Sequence, residues 1–456
     1  MPIFGGSDVL SLYEGFFAGG ARILHSDVVT GLHSSGRHRH SVLSIHHVMQ
    51  RESIRQRMQD DRSYRQLREA GVRIASLGRV FTGATAAPEF TASEIDKTAR
   101  QAKRADVVLS LKEQPLRLVN EGWFPQRPVV VCLHRSDPEH SGEALDDLRA
   151  AVGAGRVAGI ICCASSTRDA YRDAGIADAL LHVVPNGVDL RRFHPARPVR
   201  RATLRMSLGV PTDATVVAFA ARYDGMKNVP LFLRTAYAFL TANPDGHVIA
   251  CGAGMSPDNP ALASEIDEVF GPAAEATRSL LWSASTRGLP VPRAITGARG
   301  AVWRNRTADP ARDRLHLFGL RADMQPIYAA ADVVTLTSSF GEAAPLCLIE
   351  GMMCGAVPVA TDVGDCASIV AGHGLVVAPE SIAIGQAWQE AALRRDELSA
   401  ALIASRPRFS HSRMIHAYAT HIDRIAGTAG RRTPVRGSGR AAAKPATTRR
   451  AVPVPA

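Results

Sequence analysis

The stretch VVTLTSSFGEAAPLCLIEGMMCGAVPVA, residues 333–360, contains one complete strand–loop–helix–strand unit. Val333–Thr337 is a short, mostly β-branched run that predicts a buried strand, and Val357–Ala360 predicts the next one. Leu346–Met353 between them reads as a helix. The connecting loop carries Gly341 and Glu342, and Glu350 falls inside the helix, eight positions on. Eight residues is a little over two helical turns, so both carboxylates could face one groove. The Gly341–Pro345 stretch would also present free backbone N–H groups at a helix start, which suits an anion. A carboxylate placed there cannot hold phosphate itself; it suits hydroxyl donors, as on a sugar or ribose.

The same alternation of apolar runs and helices extends through the chain, which is the signature of parallel α/β sheets. In the first half the predicted strands are Val9–Tyr13, Val42–His46, Asp106–Leu111, Val129–Leu133, Val157–Cys163 and Leu181–Val184. Helices are predicted at Ala92–Arg104 and at Thr167–Ala174, the latter with Ser165 and Ser166 in capping position. Pro185–Arg201, rich in proline and arginine and without periodicity, reads as an interdomain linker. The second half restarts with strands Thr215–Ala220, His247–Cys251, Leu315–Phe318, Val333–Thr337, Val357–Ala360 and Leu375–Val377, and helices Val229–Ala242 and Met324–Ala330. The expectation is therefore α/β: two Rossmann-like doubly wound domains facing a cleft, with ligands at the carboxyl ends of the strands. The domains are placed at 1–190 and 191–410, with a long insertion at about 255–313. Within it Pro257–Arg278 is predicted helical and Ser283–Arg312 an extended surface loop. A closing helix spans 411–428, around Met414–Ile425, and a basic disordered tail spans 429–456.

Composition narrows the function classes. The 456 residues are 46% hydrophobic and 21% charged, so the chain can bury substantial cores. Seven of the eleven net positive charges lie in the Ala-, Pro- and Gly-rich tail from Gly430 to Ala456, leaving the folded part near balance. No segment combines aromatic and basic residues as an RNA-binding surface does, so no specific nucleic-acid partner is expected. The seven cysteines sit mostly in apolar runs and read as reduced core thiols. No apolar run is long enough to span a bilayer. The N-terminus lacks a basic-then-apolar leader, so the expected location is cytoplasmic.

Two further stretches carry chemistry. Just after strand Thr215–Ala220 comes Ala221-Arg222-Tyr223-Asp224-Gly225-Met226-Lys227-Asn228. Two cations flanking a glycine turn at a sheet's carboxyl edge form a plausible diphosphate clamp. Gly19-Gly20-Ala21-Arg22 opens the first helix, where small residues let a ligand approach the backbone closely.

The order GGAR, VVPNGVDLRRFHP, R(x4)KN and FGEAAPLCLIEGMMCGAVPVATDVGD resembles the retaining GT-B glycosyltransferases of family GT4, the "glycosyl transferases group 1". The resemblance covers the C-terminal half closely and the N-terminal half loosely. It implies that Arg222 and Lys227 hold the donor diphosphate and stabilise the leaving group, and that Glu350 binds the nucleotide ribose. It further implies that Glu342 contacts the donor sugar beside the backbone of Ala343, Ala344, Pro345 and Leu346, and that Gly19 and Gly20 line the cleft. His134, in VCLHRSDPEHSG, resembles the family's N-domain histidine near the transferred sugar; a strand-end histidine with a structural hydrogen bond is the alternative.

Two departures stand out. Glycine occupies position 351 where the family has alanine, which costs about 1 kcal/mol inside a helix unless it permits closer packing. The region Gly252–Arg314 is larger than usual, and the base pocket would be sought there. No Asp-x-Asp occurs in the chain, and Arg222 and Lys227 can offset the departing charge, so no obligatory metal or other cofactor is expected. The resulting expectation is metal-independent, same-face transfer of a sugar from a nucleotide-sugar donor to a hydroxyl acceptor. A catalytically inactive scaffold and a GT-B nucleotide-sugar epimerase are the competing readings. Arg51, Arg55, Arg57, Arg62, Arg65 and Arg68 read as helical positions that could meet an anionic membrane face, but Glu52, Asp60, Asp61 and Glu69 interrupt them, which favours a merely solvated helix.

Overall fold

The computed structural model describes residues 6–17, 19–51, 54–82, 89–271 and 309–430. Its N-terminal sheet contains β1 (Asp8–Tyr13), β2 (Arg39–Arg51), β3 (Ile54–Arg57), β4 (Arg73–Phe81), β5 (Val107–Leu111), β6 (Val129–Leu133), β7 (Val157–Cys162) and β8 (Leu181–Val183). They are ordered β3-β2-β1-β5-β6-β7-β8, with β4 also paired on β2 and only β3 antiparallel. The second sheet contains β9 (Thr215–Ala220), β10 (Gly246–Cys251), β11 (Leu315–Gly319), β12 (Val333–Leu336), β13 (Val357–Thr361) and β14 (Leu375–Val377). It is wholly parallel, in the order β11-β10-β9-β12-β13-β14. The central strands β5, β6, β12 and β13 are buried along their whole length, as strands covered by helices on both faces must be.

Each sheet reverses its strand order at one place: between β1 and β5 in the first, between β9 and β12 in the second. Loops leaving the carboxyl ends of neighbouring strands diverge there and open a crevice. Both stretches singled out in the second half of the sequence lie at this point of the second sheet, Arg222–Lys227 after β9 and Ser338–Pro345 after β12.

Several expectations are corrected. β2 is longer than Val42–His46, and β3 and β4 were not foreseen. They are arginine-rich strands at the sheet's edge with partly exposed residues, so they present no apolar run to the eye. Arg51, Arg55 and Arg57 therefore lie on strands; of the six arginines proposed for one basic helix, only Arg62, Arg65 and Arg68 belong to helix Arg62–Glu69. The linker is shorter than Pro185–Arg201, because helix Pro198–Ser207 starts within it, with Pro198 at its first position. Helix Pro260–Phe270 occupies the front of the 255–313 region; residues 272–308, including most of the proposed surface loop, and the tail 431–456 lie outside the described residues.

Helix His411–Gly430 extends beyond Met414–Ile425. Its buried residues Met414, Tyr418, Ile422 and Ile425 follow helical spacing and pack on Val9, Leu24, Val28 and Val107 of the N-terminal domain. The chain thus crosses twice between the domains. The crossings are tied together, Val188 N–H donating to Phe409 O at 2.9 Å and His411 N–H to Val188 O at 3.0 Å.

Helix Leu346–Met353 lies close against β12. A Cβ on Gly351 would stand 2.6 Å from Val334 Cγ1, so the glycine in place of alanine is what lets the helix seat at this distance.

Candidate active site

At the switch point of the second sheet, the Lys227 ammonium donates to the Glu342 carboxylate. Lys227 is positioned by a short turn: the Asp224 carboxylate accepts from the Met226 N–H at 2.9 Å, and Asn228 then takes a left-handed conformation before the helix Val229–Ala242. Asn228 tolerates that conformation because its short amide bonds locally, here to the Leu231 N–H. Glu342 is 6% exposed and also accepts from the Ser338 hydroxyl at 2.5 Å. Ser338 was not singled out in the sequence, yet it lies two residues past β12, at the sheet edge where ligand groups concentrate.

Three successive carbonyls of the loop are occupied. That of Glu342 accepts from the Ser136 hydroxyl, that of Ala343 from the Asp365 N–H at 2.8 Å, and that of Ala344 from the Asn186 side-chain amide at 2.8 Å. The first N–H groups of helix Leu346–Met353, which this fixed loop leads into, have no intrahelical acceptor. Across the cleft, helix Gly20–Ser34 starts at Gly20, where a Cβ would stand 3.6 Å from Leu346 Cδ1. Two helix N-termini therefore meet in one crevice, and their dipoles add for an anion between them. Gly19 is in extended conformation at the N-cap and contributes no side-chain cap.

The half-buried Cys347 has Lys227, Glu342 and Glu350 all as charged neighbours. Burial pushes the Glu350 carboxyl up to about 7, against the opposing pull of Arg192 and the Tyr328 hydroxyl; Asp27 and Arg62 of the N-terminal domain also act on it. Glu342 thus precedes the helix Leu346–Met353 and Glu350 lies in its middle. Arg222 is turned aside from the Lys227–Glu342 pair: its Nε donates to Asp224 at 2.8 Å and about half of its side chain is exposed.

His134 follows β6 directly. Burial pushes its imidazole down to about 3, with His25 and Lys112 as further influences, and its Nε2 has no hydrogen-bond partner among the described residues. The structural hydrogen bond expected under the alternative reading is thus not made at that nitrogen. The loop behind it meets the Ser338–Pro345 loop, where His140 stacks on Phe340 with ring centres 5.3 Å apart. Lys112, at the end of β5, was also missed; it holds a left-handed φ of 66°, a conformation a lysine rarely adopts, at the switch point of the first sheet.

Among the described residues no group of three His, Cys, Asp or Glu side chains is placed to hold a metal ion, and no helix is long and apolar enough to cross a membrane. All seven cysteines are free thiols, six of them buried.

Two α/β domains with a switch-point cleft, helix N-termini on both walls and a Lys–Glu pair between them define the GT-B architecture. Residues 18–192 match Glycosyltransferase Family 4 and residues 287–394 match Glycosyl transferases group 1. The chain belongs to the GT-B glycosyltransferases of family 4. It is 26% identical over 191 residues to an alpha-maltose-1-phosphate synthase of Mycolicibacterium smegmatis, a match covering 42% of this chain and 40% of that protein. It is 32% identical over 193 residues to a D-inositol 3-phosphate glycosyltransferase of Saccharomonospora viridis, covering 41% of this chain and 35% of that one. The match therefore spans well under two thirds of either relative's length. The fold is shared with Anabaena Alr3699/HepE, solved in complex with UDP, at a TM-score of 0.64, 20% identity and coverage of 91% and 99% of the two chains. It is shared also with a glycosyltransferase from Rickettsia africae at a TM-score of 0.65, 14% identity and coverage of 92% and 99%.

Proposed function

We propose that this protein transfers a sugar from a nucleotide-sugar donor to a hydroxyl acceptor, with retention of anomeric configuration and without an obligatory metal. The observation that carries the reading is the Lys227–Glu342 pair set beside two facing helix N-termini. A diphosphate entering that crevice meets the helix starts at Gly20 and Leu346 and takes Lys227 as its counter-ion. Arg222, paired at a half-exposed position with Asp224, swings in as the second cation. Glu342, released from Lys227, accepts hydroxyls of the donor sugar, and Glu350 accepts those of the ribose. As the bond from the anomeric carbon to the phosphate breaks, Lys227 and Arg222 take up the growing negative charge. The departing phosphate oxygen removes the proton from the acceptor hydroxyl, which attacks from the same face. His134, neutral at physiological pH, lies on the acceptor side of the cleft as a hydrogen-bond partner rather than a cation. Domain closure excludes water and limits donor hydrolysis.

UDP and UDP-glucose, bound by the structural neighbour HepE, head the ligands to test. A thermal-shift screen against UDP, GDP, ADP, CMP and their sugar conjugates, with and without EDTA, decides the matter. A ligand at 100 times its dissociation constant adds ~2.7 kcal/mol of stability. Stabilisation by one nucleotide family, unchanged by EDTA, supports the reading and names the donor. No shift from any of them, with the protein shown to be folded, favours the inactive-scaffold alternative.

A further inference from the structure

Helix Ser165–Asp173 of the N-terminal domain has no cap of its own. Its N-cap position is Ala164, and Ser165 and Ser166, which the sequence suggested as caps, are instead its first two helical residues. Their N–H groups are satisfied from across the cleft: the Asp365 carboxylate accepts from Ser165 N–H at 2.9 Å and from Ser166 N–H at 2.8 Å, one oxygen to each. Asp365 is itself the N-cap residue of the short helix Cys366–Val370, yet its side chain makes no capping bond there. The carboxylate serves the other domain.

The backbone of the same residue serves the donor loop, since Asp365 N–H donates to Ala343 O at 2.8 Å. Gly364 beside it lies so close to that loop that a Cβ would stand 2.1 Å from Glu342 O. Around this point Ala343 packs with Cys163 and Ala164 in a small apolar cluster contributed by both domains. One residue therefore grips the donor loop through its main chain and the opposite domain through its side chain.

We propose that Asp365 is a positioning residue, an interdomain latch that holds the cleft closed and sets the donor loop only when it is closed. An anionic side chain on two N–H groups at a helix N-terminus gains from both the charge-assisted bonds and the helix dipole. When the domains separate, Asp365 returns to water, the helix start loses this side-chain cap, and the loop carrying Glu342 loses, with the Ser136 bond, its ties to the N-terminal domain. The latch itself does not depend on the catalytic reading; the claim that it sets the donor loop for transfer rests on it.

Two variants remove opposite halves of the contact. Asp365→Ala deletes the carboxylate without removing any bond within its own helix. Ser165→Pro deletes one of the two N–H donors while placing proline at a first helical position, where it is well tolerated. Small-angle X-ray scattering of the full chain, with thermal melts as the folding control, reads the interdomain geometry without reference to activity. Hydrogen bonds to a charged group predict a shift of roughly tenfold or more toward the open form for Asp365→Ala. The radius of gyration should rise, the change for Ser165→Pro should have the same sign and be smaller, and the double variant should open no further than Asp365→Ala alone. Raised salt should open the wild type and leave Asp365→Ala unmoved. Scattering profiles identical to wild type in both folded single variants would overturn the latch. With a donor identified, Asp365→Ala should lower kcat and leave nucleotide affinity close to wild type, and Asp365→Asn should recover part of the rate. An opened molecule with unchanged kcat would keep the latch and discard the donor-loop claim, whereas absence of any nucleotide binding in wild type would count against the catalytic reading alone.

Discussion

Lys227 and Glu342 neutralise one another inside the cleft, the lysine arriving from the turn after β9 and the glutamate from the loop after β12. Both side chains are largely enclosed, at 14% and 7% exposure. On the proposed function, a diphosphate and Glu342 would compete for the same ammonium.

Glu342→Gln removes the competitor and keeps a group that bonds Ser338. Nucleoside diphosphate should then bind as tightly as to wild type or more tightly, while sugar transfer falls about a hundredfold or more through loss of the sugar contact. Lys227→Ala should behave differently, losing a similar factor in kcat and also destabilising the fold by about 1–3 kcal/mol, because Glu342 is left enclosed without its cation. Calorimetric titration with the nucleotide beside steady-state kinetics separates the two. Parallel losses of affinity and rate in Glu342→Gln would dismiss the competition.

On the proposed ribose role, Glu350 should make donor binding pH-dependent. Burial pushes its carboxyl up to about 7, so at pH 6 it is mostly protonated and at pH 8 mostly ionised. A ribose hydroxyl donates more strongly to the ionised form. Affinity for an intact nucleotide-sugar, whose diphosphate does not titrate in this range, should therefore rise by up to about tenfold from pH 6 to pH 8. Glu350→Gln should bind more weakly at pH 8 and show a flat profile. A wild-type profile that is already flat would remove the ribose role from Glu350.

Much of this site was legible because its residues follow strands whose apolar runs are unmistakable. VVTL and TVVAFA announce β12 and β9, and Glu342, Glu350, Arg222 and Lys227 are placed by counting from them. What stayed hidden lacks a local pattern. β4 (RIASLGRVF) is partly exposed along its length and shows no apolar run. Asp365 stands two hundred residues from the N–H groups it caps, and nothing near it in the chain hints at them. The partners of the donor loop's carbonyls, Ser136 and Asn186, come from the other domain or the crossing, so only the fold brings them together.

The N-terminal core contains histidines that must remain neutral. His25 and His40 are completely buried, and neither ring nitrogen of either has a hydrogen-bond partner among the described residues. Burial pushes His25 down to about 3 and His40 well below its ordinary value, with His38, His33 and His25 repelling a charge on His40. His33 and His38 are lowered too, by burial first, with Arg73 opposing a charge on His33 and Asp423 favouring one on His38. Their folded-state pKa values lie below the unfolded value of about 6.5, so the unfolded chain binds more protons in acid. The stability they contribute is complete above about pH 6.5 and declines as the pH falls, by up to ~1.4 kcal/mol per pH unit for each fully neutral histidine. The melting temperature should thus drop between pH 7 and pH 5, and His25→Phe should shallow that slope. An unchanged slope would mean that His25 reaches water when protonated.

Gly351 looks like a weak point in its helix, and the packing says the opposite. Alanine there gains about 1 kcal/mol of helix propensity. Its Cβ, however, would stand 2.6 Å from Val334 Cγ1 and 2.7 Å from Val334 Cβ. The second of these atoms is fixed to the backbone of β12, in the middle of a parallel sheet, and cannot turn away as a long side chain could. The helix must lift instead, at an overpacking cost of typically ~1–3 kcal/mol. That cost exceeds the propensity gain, so Gly351→Ala should lower the melting temperature. It should also raise KM for the donor, because Glu350 is the adjacent residue and moves with the helix. Adding Val334→Ala removes the two methyl groups but not the Cβ, so the double variant should recover part of the stability lost in Gly351→Ala. If Gly351→Ala melts at or above the wild-type temperature, the helix seats on β12 less closely than these distances require, and the glycine has no part in placing Glu350.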